Sequence, residues 1–205
     1  MFWPGVAAIW GALLAGTTSA VTYWRVDRGR RDLLAFARTT YTAFAACVVA
    51  SAAILMTLLL QHRFDVSYVN SYSSLELPLH FLISTFWAGQ EGSFLLWTFW
   101  GSLIGLFVWR SAKEQEAPVM VVYLSTFLGI VAILCKQSPF RLLPPPYPAD
   151  GVGLNPLLQD PWMVIHPPIM FIGFASLSVP FSFAIAALWK KRWTAGSCAR
   201  FPGLC

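Results

Sequence analysis

The chain alternates between long apolar stretches and short polar segments. Five of the apolar stretches are long enough for a membrane span, which needs about 20 apolar residues to cross a hydrocarbon core of roughly 30 Å. The predicted spans run from about Pro4 to Trp24, Thr39 to Leu60, Glu91 to Trp109, Pro118 to Cys135 and Pro167 to Trp189. The pattern therefore predicts an all-α polytopic membrane protein with five transmembrane helices.

Composition supports the membrane assignment. Of the 205 residues, 57% are hydrophobic and only 11% are charged, whereas soluble domains carry roughly 25% charged residues. No basic segment precedes the first apolar stretch, so we interpret it as a retained span rather than a cleaved signal peptide. We predict one membrane domain over residues 1–190, followed by a cytoplasmic tail over residues 191–205.

Basic residues cluster at alternate ends of the predicted spans. They follow the first, third and fifth spans, as Arg25, Arg28, Arg30, Arg31, Arg110, Lys113, Lys190, Lys191 and Arg192. Because cytoplasmic loops are enriched in Lys and Arg, we predict that the N-terminus lies outside and the C-terminus in the cytoplasm. Span ends thus account for the net charge of +5. Without an aromatic-interleaved basic stripe, the charge does not indicate nucleic-acid binding.

The predicted outer loops cover residues 61–90 and 136–166, and all three histidines fall there. The apolar segment 79–88 is too short to span, so it is expected to lie along the interface or to re-enter the membrane. A proline-rich run at 144–148 predicts a helix-free connector. Beyond it, a short helix is predicted from about Pro156 to Gln159. The outer loops should therefore carry short interfacial helices.

His166 stands immediately before Pro167 and Pro168. Since proline is tolerated in a first helical turn and the residue before it favours extended backbone, we expect His166 just outside the fifth span. The positive end of the helix dipole would disfavour protonation and leave the imidazole free to bind a metal. The cysteines show no metal-site spacing, so a closed zinc or copper site is not indicated. Two interpretations stay open: a single axial ligand to haem iron, or a polar cap of the span.

Four further residues are candidates for a site beside His166. Trp87 and Trp97 flank the segment 89–92, Gly-Gln-Glu-Gly, and could hold a flat macrocycle or form part of an aromatic belt. Glu91 could act at the site or interact with a helix N-terminus. Arg141 could pair with a haem propionate or serve as an interfacial anchor. The two glycines of the 89–92 segment should allow close backbone approach where the third span begins.

Two stretches resemble a known family. They are Trp87-Ala-Gly-Gln-Glu-Gly-Ser-Phe-Leu-Leu-Trp97, and Gly153-Leu-Asn-Pro-Leu-Leu-Gln-Asp-Pro161 with the following His166-Pro-Pro. Both resemble the N-terminal part of the CcmF family of cytochrome c-type biogenesis proteins, which is related to NrfE. The resemblance covers residues 1–190. It implies a subunit of a haem lyase in the bacterial inner membrane, which attaches haem covalently to apocytochrome c on the periplasmic side.

The resemblance also implies a ligand, a substrate and partners. His166 would be an axial ligand of haem b, which is the substrate rather than a resident cofactor. A CcmE-like haem chaperone would deliver the haem, and a CcmH-like partner would present the reduced apocytochrome thiols. The family's tryptophan-rich loop and its other haem ligands are expected downstream of residue 190 and do not occur here. We therefore expect a truncated, split or frame-shifted gene, and no catalysis by this chain alone.

Two other functional classes stay open from the sequence. The first is a membrane scaffold that docks cytochrome c assembly partners without binding haem itself. The second is a small-solute transporter, which is less favoured because no predicted span carries a charged residue near its middle.

Overall fold

Five long helices, each antiparallel to the next, build the structure. The computed structural model describes residues 2–190, and within them five helices are long and apolar enough to cross a membrane. The helices are α1 (Phe2–Asp27), α2 (Leu34–Leu60), α3 (Ser67–Tyr72), α4 (Leu79–Ser84), α5 (Gln90–Ser111), α6 (Glu116–Lys136) and α7 (Pro161–Trp189). The predicted all-α architecture with five spans is confirmed. Which end of the bundle faces the cytoplasm stays a prediction, and the predicted tail lies outside the described residues.

The fifth span begins earlier than the predicted start at Pro167. Helix α7 begins at Pro161, so His166 is its sixth residue rather than a residue outside it. The stronger start signal is Asp160, whose Oδ1 accepts a hydrogen bond from the backbone N–H of Trp162 at 2.8 Å. Asp is a favoured N-cap, and Pro161 fits the first helical position because its missing N–H would have no intrahelical acceptor. The dipole argument for His166 weakens accordingly, because the histidine lies beyond the first turn.

Helix α5 packs against α2, α6 and α7, and small residues set how closely the helices approach. An added Cβ at Gly101 or Gly105 would overlap an aromatic ring of α6 or α2. Two fully buried tyrosines from those helices donate hydrogen bonds to α5 carbonyl oxygens, Tyr41 to Ser102 at 3.0 Å and Tyr123 to Gly101 at 2.8 Å. Small residues at helix contacts and side-chain hydrogen bonds between helices are typical of packing in membranes.

Ion pairs join the helices at the end of the bundle where the basic residues cluster, which we call the basic end. Glu116 at the start of α6 is buried and accepts a bidentate hydrogen bond from Arg38 of α2. The same carboxylate accepts a hydrogen bond from the buried Tyr23 of α1 at 3.1 Å. Lys190, directly after α7, pairs with Asp27 at the end of α1 at 2.6 Å. All four long helices other than α5 are therefore tied together there.

The loops at the opposite end form an ordered cap, which we call the His166 end. Backbone hydrogen bonds connect the two long loops, from the N–H of Ser67 to the carbonyl of Arg141 at 2.8 Å and from Leu143 to Asp65 at 2.9 Å. Segment 79–88 forms α4 and a 3₁₀ turn at Thr85–Trp87, and a second 3₁₀ turn covers Pro156–Leu158. The prediction of short helices in these loops is confirmed.

Candidate functional site

His166 lies on an exposed side of α7 near the start of the helix. The next residue, Pro167, is buried against the bundle, so the imidazole is placed at the edge of the packed face. Met170 and Gly173 follow at intervals of four and three residues, and such positions share a helix face with His166. An added Cβ at Gly173 would have no heavy atom within 4 Å. The surface beside His166 is therefore open.

Trp87 holds the helix that carries His166. Its indole Nε1 donates a hydrogen bond to the carbonyl oxygen of Met163 at 3.0 Å. In a regular helix that carbonyl would accept from residue 167, but Pro167 has no N–H to donate. Proline inside a membrane helix is tolerated when a neighbouring segment satisfies the freed carbonyl. Trp87 thus compensates for Pro167 within one turn of His166.

Trp97 also packs against α7. Its ring centroid lies 5.6 Å from that of Phe174 and 6.3 Å from that of Phe171, with tilted ring planes. Aromatic pairs favour such offset and tilted arrangements at these distances. Trp87 and Trp97 therefore both contact α7, the helix that presents His166. Whether either tryptophan also touches haem stays a prediction.

Tyr68 of α3 fixes the Gly-Gln-Glu-Gly segment that precedes and opens α5. Its buried hydroxyl accepts a hydrogen bond from the N–H of Gly89 at 3.1 Å and donates to the carbonyl of Phe86 at 2.8 Å. Burial raises the pKa of this hydroxyl, so that it stays a donor even well above neutral pH. An added Cβ at Gly92 would overlap the Phe86 carbonyl oxygen and the Tyr68 hydroxyl. The predicted close backbone approach is confirmed, and its partner Tyr68 carries no signal in the sequence.

Glu91 and Arg141 lie at the same end but are not joined to His166. Glu91 is half-buried in the first turn of α5. Burial of the Tyr72 hydroxyl and, to a smaller extent, the charge of Glu91 raise the pKa of Tyr72. The side chain of Arg141 is exposed, and its backbone carbonyl binds the neighbouring loop. Within residues 2–190, no hydrogen bond or ion pair connects either side chain to His166. Their roles in binding stay predictions.

Local capping explains the Gly153–Pro161 motif. The side chain of Asn155 accepts a hydrogen bond from the N–H of Leu157 at 3.0 Å, and Asp160 caps α7 in the same way. The side-chain amide of Gln159 donates to the carbonyl of Leu154 at 2.9 Å. Asn and Asp favour such turns because their short side chains reach backbone donors two residues ahead. The motif sets the direction in which α7 leaves the loop.

The donor set around His166 fits one kind of metal group. Across the part of the chain that the structure describes, no three His, Cys, Asp or Glu side chains come together as a metal site. A zinc or copper ion would need several protein ligands. Haem iron receives four nitrogens from the porphyrin and needs only axial protein ligands. A lone, exposed imidazole beside an open apolar surface is compatible with haem.

Replacing Trp87 with phenylalanine should destabilise the α7 attachment while preserving most of the ring packing. The Met163 carbonyl would lose its donor, and we expect the free energy of unfolding to fall by about 1 kcal/mol. Denaturation of the purified chain with SDS in mixed micelles measures this. The matched control is Trp162→Phe, because Trp162 is largely exposed and its loss should change the value by less than about 0.5 kcal/mol. Equal values for both variants would contradict the role of Trp87.

Together these features define a polytopic helical membrane protein in which one ordered end presents His166 on an exposed side of α7. The family model described as Cytochrome C assembly protein matches residues 87–199, more than half of the chain. The chain therefore belongs to the cytochrome c assembly protein family. The matched region contains Trp87, the Gly-Gln-Glu-Gly segment and His166.

Known relatives agree with this assignment. The chain is 34% identical to the cytochrome c-type biogenesis protein CcmF of Haemophilus influenzae, over 83% of this chain and 29% of that protein. It is 32% identical to CcmF of Escherichia coli K12, over 85% of this chain and 28% of the relative. The solved structure of the cytochrome c heme lyase CcmF matches with a TM-score of 0.80 and 26% identity, over 95% of this chain and 31% of that one.

The chain spans less than a third of the length of these relatives. It corresponds to their N-terminal part, as the two motifs predicted. The predicted resemblance to the N-terminal part of CcmF and NrfE proteins is confirmed.

Proposed function

We propose that this chain forms the His166 side of a haem-binding surface in a CcmF-type haem lyase. The single observation that carries the proposal is the exposed imidazole of His166 on α7, beside an open surface with Gly173. Trp87 and Trp97 support it, because both hold α7 close to the histidine. A porphyrin is a flat macrocycle and needs free space around its axial ligand. Gly173, two turns further along the helix, leaves room for it.

In this proposal haem b is a substrate. His166 would coordinate the iron as a neutral imidazole, while the second axial ligand would come from outside this chain. The attachment reaction joins apocytochrome thiols to the haem vinyl groups, each S–H adding across a vinyl double bond. The chain would orient the haem for that step and supply no acid or base of its own. On its own it is not expected to catalyse the reaction.

The proposed setting follows from the membrane topology and the family. The His166 end would face the periplasm from the bacterial inner membrane, because the basic loops lie at the other end. The proposed partners are a CcmE-like haem chaperone, a CcmH-like thiol partner and apocytochrome c, with the lipid bilayer around the spans. Arg141 of the loop is proposed to contact the haem propionates, and Glu91 of the first turn of α5 is proposed to contact the haem.

The test is His166→Ala in the complete protein, with co-purified haem quantified by its Soret absorbance. We expect haem content to fall on the order of tenfold or more, since even the loss of residues supporting a ligand costs metal affinity on that scale. Added imidazole should restore part of the haem, because it can occupy the vacated axial position. The matched control is His80→Ala, which removes another exposed histidine at the same end and should leave haem content unchanged.

The same experiment separates haem binding from scaffolding. Unchanged haem in the His166→Ala protein, with cytochrome c maturation also unchanged, would contradict the ligand assignment and favour a scaffold that docks assembly partners. Haem loss that imidazole does not reverse would indicate a structural defect in α7 rather than a lost ligand.

A further inference from the structure

A cavity of about 520 Å³ opens between the basic ends of α1, α6 and α7, at the opposite end of the bundle from His166. Its volume lies in the range of small-molecule sites, which is roughly 300–1,000 Å³. Apolar side chains such as Val26, Pro118 and Ala186 line part of the cavity, and six of the other lining residues are charged. The proposed haem function uses no residue of this cavity.

Part of the charge around the cavity is already neutralised. Asp27 and Lys190 form an ion pair across it at 2.6 Å. Glu116 is occupied by the bidentate contact with Arg38, which stacks at 4.9 Å over the ring of Trp109. These groups have partners within the protein and provide little net charge for a ligand.

Two cations of the lining have no such partner. Arg31 and Lys113 are exposed, and within residues 2–190 neither side chain forms an ion pair or a hydrogen bond. The lining also contains Glu114, which is likewise unpaired in the described part of the chain. The free charges are thus two cations and one carboxylate, so the cavity favours an anion.

We propose that this cavity binds an anionic phosphate group between Arg31 and Lys113. Guanidinium and ammonium groups are the side chains that recognise phosphate oxygens. The cavity lies at the ends of the spans, at the depth where lipid head groups lie, and basic pockets between transmembrane helices bind anionic phospholipids. The apolar part of the lining would then contact the start of an acyl chain. The proposal does not depend on haem binding.

The phosphate group could belong to a phospholipid or to free inorganic phosphate, and two measurements distinguish these sources. The chain is reconstituted in nanodiscs of equal parts phosphatidylglycerol and phosphatidylcholine, and native mass spectrometry measures which lipid it retains after release into detergent. In parallel, inorganic phosphate is titrated into the detergent-solubilised chain and followed by ³¹P NMR. A phospholipid site predicts preferential retention of phosphatidylglycerol, which phosphate alone displaces poorly.

Charge-matched variants test the location. Arg31→Gln combined with Lys113→Gln should lower the retained phosphatidylglycerol about tenfold or more, because each nearby cation contributes substantially to anionic lipid binding. Arg25→Gln combined with Arg28→Gln removes the same charge from the same end without touching the cavity lining, and retention should stay unchanged. Glu114→Gln removes the opposing carboxylate and should raise it.

Each outcome decides the proposal. Loss of phosphatidylglycerol only in the cavity variant supports the site and identifies a phospholipid as its source. Saturable binding of inorganic phosphate that the cavity variant loses, with no lipid preference, supports the site with free phosphate as its ligand. Equal losses in both double variants, or the absence of both lipid preference and phosphate binding, would overturn it.

Discussion

Replacing Gly92 with alanine is expected to destabilise the His166 end strongly. The new methyl group would overlap the Phe86 carbonyl oxygen, which belongs to the backbone, and the Tyr68 hydroxyl, which is hydrogen-bonded on both sides. Neither can retreat without breaking contacts. Overpacking of this kind typically lowers the free energy of unfolding by about 1–3 kcal/mol, and we expect the upper part of that range. SDS denaturation in mixed micelles, followed by far-UV circular dichroism, measures the change.

The chain offers a matched control in Gly129→Ala. Gly129 lies within α6, and an added Cβ there would meet no atom within 4 Å. Alanine in place of a helical glycine at an open position should be neutral or stabilising by up to about 1 kcal/mol. If Gly92→Ala and Gly129→Ala have the same effect, the close approach around Gly92 is not what holds the start of α5.

The Gly92→Ala variant should also affect the proposed site at a distance. The backbone that would have to move includes the turn that carries Trp87, whose indole satisfies the Met163 carbonyl. A shift there would loosen α7 and with it His166. Partial loss of co-purified haem from the complete protein is therefore expected, smaller than the loss caused by His166→Ala.

The sequence predicts the number and order of the spans because length and hydropathy alone determine what can cross a bilayer. It predicts their ends less well. The start of α7 is the clearest case, since Asp160-Pro161 and Pro167-Pro168 are both plausible helix openings. The earlier one is used because Asp160 caps it and because Trp87, 76 residues away, donates to the carbonyl that Pro167 leaves free. A tertiary contact of that kind leaves no periodic signal.

The candidate site is predictable in the same partial way. Motifs and chemistry single out His166, Trp87 and Trp97 in the sequence. They do not predict that both tryptophans contact α7, the helix that carries the histidine. The Gly89–Gly92 segment predicts a close approach without predicting Tyr68 as its partner. Tyr68 can be identified as this partner only once the fold of the 61–90 loop is known. Backbone hydrogen bonds from the facing loop position the short helices of that loop.

The ion pair at the basic end is the feature that sequence reasoning missed entirely. Arg38 and Glu116 each lie just before an apolar stretch, at span ends that the topology places together. Opposite charges at such positions are a usable signal once the order of the spans is known. Glu116 is 4% exposed and accepts hydrogen bonds from both Arg38 and the fully buried Tyr23.

Glu116→Ala should therefore be among the most destabilising substitutions in the bundle. Removing one partner of a buried ion pair costs about 3–5 kcal/mol when the other charge stays buried. The side chain of Arg38 is 40% exposed, so it can turn towards water, whereas Tyr23 cannot. We expect a loss of about 2–3 kcal/mol in the free energy of unfolding, most of it from the stranded tyrosine hydroxyl and the lost packing.

Two controls separate charge from hydrogen bonding. Glu116→Gln retains an oxygen that accepts from Tyr23, and it should recover roughly half of the loss. Asp32→Ala breaks the ion pair between Asp32 and Arg30, whose side chains are 60% and 66% exposed, respectively. Exposed ion pairs contribute only about 0–1 kcal/mol. If Glu116→Ala costs no more than Asp32→Ala, Glu116 does not hold α1, α2 and α6 together.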